Sequence, residues 1–202
     1  MNQVLANIRK FDNRIEKKIP DKDFSISPEI QLLFKWWPVI RLLLAELTGT
    51  RTKNKFMGRI VMILVSEIIL NSFVQPFKKL FRRRRPHALL KFNSFPSGHT
   101  ATSFSGAQIF YSEVSNYSHA LSAEGYIIAI LTAAIRLYER KHWLSDVIAG
   151  AVIGIISAGL SQLIYEEVLN NKHRKCAGAN RSISPDKDQI PGIVDRTFLQ
   201  SH

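Results

Sequence analysis

Three apolar runs constrain this chain more than any other feature: residues 60–77 (IVMILVSEIILNSFVQPF), 121–138 (LSAEGYIIAILTAAIRLY) and 147–169 (VIAGAVIGIISAGLSQLIYEEVL). Each comes close to the ~20 mostly apolar residues that cross the hydrocarbon core of a bilayer. Lipid offers no partner to a backbone N–H or C=O, so runs of this kind must satisfy their hydrogen bonds internally, as helices. Glu67 is the one ionisable residue in the first run, and Gly150, Gly154 and Ala158 recur four apart in the last, where small residues let helix backbones approach closely. Residues 100–112 (TATSFSGAQIFYS) are less apolar, and with Ser103, Gly106 and Ala107 on neighbouring turns they suit a helix buried among the others. The expected fold is all-α: a polytopic transmembrane helical bundle of four to five spanning helices with an N-terminal interfacial or amphipathic helical region.

Net charge sharpens this expectation. At +12, the chain suits an anionic partner, and its Lys and Arg cluster at 9–22, 51–59 and 78–91, with a smaller group at 172–181. Basic clusters alternating with apolar runs fit a membrane protein under a charge bias, with the bilayer rather than nucleic acid as partner. Cys176 is the single cysteine, so no intrachain disulfide can form. The first 28 residues lack the unbroken apolar core of ~7–15 residues that a cleavable signal needs. Ile8, Phe11, Ile15 and Ile19 instead recur at helical spacing, with Lys10, Arg14, Lys17 and Lys18 mostly on other faces. That is a short basic amphipathic helix, lying on an anionic bilayer surface or packed on the rest of the protein.

Residues 29–48 are apolar overall but carry Lys35, Arg41 and Glu46, with Pro38 in the middle. A charge near the centre of a span costs roughly 2.5–3.5 kcal/mol on insertion scales. With Trp36 and Trp37 at headgroup level, the segment reads as an interfacial or re-entrant helical hairpin, a fifth span being the alternative. If it does not cross, the 9–22, 51–59 and 172–181 clusters all face the cytoplasm, and residues 78–99 and 136–146 emerge outside, which in a bacterium is the periplasm. Residues 170–202 show little periodicity and read as a mobile tail. The chain thus divides into an N-terminal region 1–58, a membrane-embedded core 59–169 and a tail 170–202.

Three segments carry chemistry. Lys78, Arg82 and Arg85 fall on one face of a helix that Pro86 should end, and fixed cations of this kind suit a phosphate dianion. The same basic run also has the composition of a nucleic-acid patch or of snorkelling juxtamembrane charge. Pro96-Ser97-Gly98-His99 stands where a helix should begin: Ser97 can cap, Gly98 admits a ligand close to the backbone, and the free amides attract an anion. His142 and Asp146 are four apart, so one helical turn sets a carboxylate beside an imidazole and fixes its tautomer. Arg136 precedes them. Two histidines and an aspartate could also hold zinc, but the surrounding cations oppose a bound dication.

Lys, six residues, Arg-Pro; then Pro-Ser-Gly-His; then Arg, five residues, His, three residues, Asp: over roughly residues 60–168 this resembles the type 2 phosphatidic acid phosphatase family of lipid phosphate phosphatases, whose superfamily includes soluble bacterial acid phosphatases and vanadium haloperoxidases. The resemblance implies that His142 attacks phosphorus, Asp146 orients it, and His99 protonates the leaving group and then activates water. It implies phosphate binding by Lys78, Arg85, Ser97, Gly98 and Arg136, with no cofactor and no metal. Arg82, Arg83, Arg84 and Lys91 are extra cations, expected at a second phosphate or the flanking headgroup. Two departures stand out: Ile135 occupies the place of a family serine, and the gap from Pro86 to Pro96 is short. The implied substrate is a phosphorylated membrane lipid at a bacterial inner membrane. Lipid A or undecaprenyl diphosphate is favoured over phosphatidylglycerophosphate and phosphatidic acid. A soluble-type relative and an inactive membrane adaptor are the competing readings.

Overall fold

The computed structural model describes residues 2–19, 25–87 and 90–183, and all regular structure among them is helical. The elements are α1 (Asn2–Glu16), α2 (Pro28–Leu43), α3 (Phe56–Phe81), α4 (Gly98–Val114), α5 (His119–Tyr138) and α6 (Leu144–Ile183). Three helical stretches are long and apolar enough to cross a membrane: Phe56–Phe81, His119–Tyr138 and Leu144–Leu169. Their outward residues are apolar, among them Leu64 and Ile68 on α3, Ile127 and Ile130 on α5, and Val152 and Ile156 on α6. Inside, small and polar side chains meet: Ser66 and Ser105 hydroxyls lie 2.6 Å apart, and Ser103 donates to Thr132 at 3.3 Å. A bundle whose outer surface is apolar suits lipid as its solvent, with close packing of small residues holding the helices together.

The centre is α4. It packs against α2, α3 and α5, and α6 lies so close that a Cβ on Gly154 would fall 2.2 Å from the Ala101 carbonyl oxygen. The spacing of Gly150, Gly154 and Ala158 serves the close approach expected of it.

α2 departs from the expected hairpin. Ser27 caps it, Pro28 starts it, and it runs unbroken through Pro38 to Leu43. At one end Gln31 meets Arg136 of α5; at the other Arg41 pairs with Glu124 of α5 at 3.4 Å, so α2 runs antiparallel to α5 along its length. Two of the charges that argued against a crossing, Arg41 and Glu46, are paired within the protein. Trp37 also donates to Glu124, and Glu46 pairs with Arg59 at 2.5 Å. Insertion costs apply to unpaired charges in lipid, and Arg41 and Glu46 each have a partner of opposite sign.

This reverses the expected placement of the first basic cluster. Asp12 of α1 reaches Ser145 at the start of α6, at the same end of the bundle as the 82–99 segment. The loop at 51–55 lies at the opposite end, where Lys53 and Asn54 bond to Glu113 near the end of α4. On α1, Ile15 and Ile19 are half-buried, whereas Ile8 and Phe11 remain exposed. From Glu166 the chain forms a second unit, helical to Ile183, in which Asn171 donates to Glu167. Residues 170–183 therefore continue α6 where an aperiodic tail was expected, and 184–202 lie outside the described residues.

Candidate active site

The start of α4 and the start of α6 converge at one end of the bundle. Ser97 is the N-cap of α4, but its hydroxyl pairs with Thr100 at 3.0 Å and closes no cap, which leaves the first amides of the helix open to an anion. The Ser97 N–H donates to the Asp146 carbonyl at 2.9 Å, which locks the two helix starts together. A Cβ on Gly98 would stand 3.7 Å from Lys78 Nζ, so the α3 ammonium lies directly over the glycine backbone. Gly98 leaves that space clear.

His142 sits just before α6 rather than inside it. Its Nδ1–H donates to the Ser94 carbonyl at 2.8 Å, while the Asp146 carboxylate stands 3.8 Å away, beyond hydrogen-bond reach. Asp146 instead accepts from Ser94 Oγ at 2.5 Å, from the Trp143 N–H at 3.0 Å and from Arg83 at 2.7 Å. The Trp143 bond is half of a capping box and explains an aspartate three residues into a helix start. The carboxylate acts on His142 by charge and through Ser94, and the tautomer is fixed by the backbone. With Nδ1 committed, Nε2 is the nitrogen available for chemistry.

Burial pushes His142 below the ordinary imidazole range; Asp146 pulls the other way, and Arg85 and Arg136 push down. It rests as a neutral ring, the form a nucleophile needs. His99, in the first turn of α4 ahead of the 100–115 segment, is lowered to about 3 by burial first, and then by the charges of Arg136, Lys35, His142 and Lys78. Both imidazoles and these cations therefore lie within electrostatic reach of one another.

The cations divide unevenly. Lys78, Arg85, Arg82 and Lys91 line an open cleft of ≈ 760 Å³ with Lys79 and Asn93. Arg85 does not share a helical face with Lys78 and Arg82. α3 ends at Phe81, Arg82 adopts a left-handed conformation (φ 39), and Arg83 and Arg85 then pair their backbones with Ser94 and Lys91. Pro86 excludes helix at Arg85, and the backbone of 83–85 pairs with 91–94 instead, so the helix stops a turn early. Arg83 faces away from the cleft, held by Asp12 and Asp146. Arg84 stacks over Phe92 at 5.0 Å. Of the four extra cations, only Arg82 and Lys91 face the cleft.

Arg136 is buried. Its Nη1 donates to Gln31 Oε1 and, at 3.3 Å, to Glu139, while its Nε has no partner. A buried donor left unpaired costs free energy unless a ligand satisfies it, which a phosphate oxygen would do. Gln31, Glu139, Ser94, Asp12 and Lys35 are site residues that the spacing did not mark. Glu139 had a signal, three residues after Arg136; Asp12 had one too, an acid on the Ile8–Ile15–Ile19 stripe. Ile135 is half-buried and supplies no hydroxyl. Among the described residues, no group of three His, Cys, Asp or Glu side chains is arranged to hold a metal.

A helical membrane bundle with two imidazoles among fixed cations defines a class, a phosphate-handling membrane protein. The chain belongs to the PAP2 superfamily, whose profile matches residues 59–169. It is 34% identical over 127 residues to a lipid A 1-phosphatase of Porphyromonas gingivalis, an alignment covering 61% of this chain and 28% of that protein. The chain therefore matches under a third of the length of that curated relative. The crystal structure of Aquifex aeolicus LpxE superposes with a TM-score of 0.51 at 24% identity, covering 78% of this chain and 93% of the other, a likeness of fold.

Proposed function

We propose that the protein is an integral membrane phosphatase that hydrolyses a lipid phosphate through a phosphohistidine, without a metal ion. The single observation that carries this reading is the convergence of His142, His99, Arg136, Lys78 and Arg85 at the open start of α4, at one end of an apolar-surfaced bundle. His142 Nε2 attacks phosphorus, the phosphorus–oxygen bond to the lipid breaks, and the leaving oxygen takes its proton from His99. Neutral His99 then draws a proton from water, the hydroxide displaces His142, and inorganic phosphate leaves. Phosphoryl transfer is mostly positioning and charge stabilisation, which the α4 amides and three cations can provide. Splitting the displacement into two steps lowers each barrier.

Lipid A is the favoured substrate, supported by the P. gingivalis relative; undecaprenyl diphosphate is the alternative, supported by Arg82 and Lys91 as cations beyond the need of one phosphate. The site faces the periplasm from the inner membrane. Phosphate release in EDTA from lipid A, undecaprenyl diphosphate, phosphatidylglycerophosphate and phosphatidic acid tests all of this, with wild type beside His142→Ala. Release that is insensitive to EDTA and lost in the variant is expected. Loss of activity in EDTA sinks the metal-free mechanism, and an unaffected variant sinks the nucleophile.

A further inference from the structure

Beside the site the mechanism leaves a fully buried carboxylate unused, that of Asp12. Asp12, on α1 and outside the family-matched residues 59–169, has a side chain with no solvent exposure. It accepts from the Ser145 N–H at 2.9 Å, from Ser145 Oγ at 2.6 Å and from Arg83 Nη2 at 2.6 Å. The other arm of the same guanidinium, Nη1, donates to Asp146 at 2.7 Å and to Ser145 Oγ at 2.6 Å. One planar fork thus ties two buried carboxylates, a geometry that suits arginine and not lysine. α1 also closes over the back of His142. Asp12, Ile15 and Ile19 line with Pro86, His142 and Trp143 a gap of only ≈ 10 Å³.

We propose that Asp12 and Arg83 are positioning residues for the Asp146–His142 pair, so that the N-terminal helix is a working part of the catalytic apparatus. This rests on the reading of His142 as the nucleophile. The charge count gives the physical reason. Two carboxylates against one guanidinium leave a net negative charge beside His142, which becomes cationic as its nitrogen bonds to phosphorus. Arg83 alone would cancel Asp146; Asp12 takes up part of the guanidinium and returns that charge to the imidazole. Three other groups act on His142: Arg85 from the 82–97 segment, Arg136 from α5 and His99 from α4. On the α1 side, Glu16 and Arg140 pair with each other at 3.5 Å. All of these stay constant in the variants.

The test measures kcat/KM against pH in the full-length protein with p-nitrophenyl phosphate, for Asp12→Asn, Arg83→Gln and Arg83→Lys. Asp12→Asn removes negative charge and frees Arg83 for Asp146, so the acid limb, set by protonation of His142, moves to lower pH. Arg83→Gln removes positive charge, so the limb moves to higher pH. Arg83→Lys keeps the charge but loses the fork, so its limb stays in place while kcat falls. Each variant should lower kcat about 10- to 100-fold, with KM changed less, as misplacement of a reacting group does. An independent readout is the titration of the His142 ring by NMR, which needs no turnover and should shift in the same two directions. Opposed shifts in the first two variants support the proposal even if no substrate is turned over, which would sink only the phosphatase reading. Shifts in one direction, or lower activity with an unmoved titration in both, overturn it, because a loss of folding alone has no sign.

Discussion

His99 carries a tension that its surroundings resolve. The proposed general acid must hold a proton, yet burial and the nearby cations Arg136, Lys35 and Lys78 depress this imidazole to about 3. A phosphate dianion among those cations would offset them and return the proton to the ring. The ring should therefore titrate near pH 3 in the empty protein and move up when vanadate binds, as followed by NMR; a titration indifferent to vanadate would remove substrate-driven protonation. The kinetic counterpart is selective. His99→Ala should lower phosphate release from a lipid ester ~10²–10⁴-fold, the usual contribution of a general acid. With p-nitrophenyl phosphate, whose leaving group needs no proton, the first step should recover and the phosphoenzyme accumulate as a burst of nitrophenol. Equal losses on both substrates would rule out proton donation to the leaving group. At this scale the sequence marked His99, His142, Asp146, Lys78, Arg85 and Arg136 by their spacing, and the fold brings the starts of α4 and α6, with Lys78 beside Gly98, to one end of the bundle. The sequence did not mark Gln31 or Ser94, whose partners Arg136 and Asp146 lie far away in sequence, and for Asp12 it offered only an acid on an apolar stripe.

Among the elements, the α4–α6 contact links packing to chemistry. A Cβ on Gly150 would lie 2.5 Å from the Ser97 carbonyl oxygen, and one on Gly154 would lie 2.2 Å from that of Ala101. Both obstacles are backbone, so the helices must separate. Gly159, on the same helix, has nothing within 4 Å of such a carbon. Gly154→Ala should cost about 1–3 kcal/mol as overpacking does, and Gly150→Ala should also lower kcat, because the atom it displaces belongs to the α4 N-cap. Gly159→Ala should leave both thermal midpoint and activity near wild type, since it gains helix propensity and meets no neighbour; if it is as harmful as the other two, close approach to α4 is not what sets the cost. The four-residue spacing of small residues was legible because close helix packing requires it. The path of α2 was not: Lys35, Arg41, Glu46 and Pro38 read as obstacles to crossing, and only Glu124 and Arg59, far away in sequence, show how two of those charges are matched. The end of α3 at Phe81 was likewise hidden, since the left-handed turn at Arg82 answers to the pairing of 83–85 with 91–94.

For the whole molecule, the antiparallel course of α2 and α5 sets the side on which each loop emerges. α1 and the site segments share one end, and residues 51–55 occupy the other. The basic residues of α1 stand at the same end as the site and the basic residues of 51–55 at the opposite end, so a simple charge bias cannot put both clusters in the cytoplasm. Asp12 and Glu16 bind Arg83 and Arg140 and so hold α1 on the bundle, leaving Ile8 and Phe11 exposed. Labelling of single cysteines in a Cys176→Ser background distinguishes the two topologies. In cells with a permeabilised outer membrane, an impermeant maleimide should reach cysteine placed at Asn13 or Leu90, both exposed at the site end. It should reach Arg51→Cys only after the inner membrane is broken. Labelling of 13 together with 51, and separately from 90, would mean that α2 does not cross; α1 could not then contact Ser145, and the coupling of Asp12 to Asp146 would fall with it.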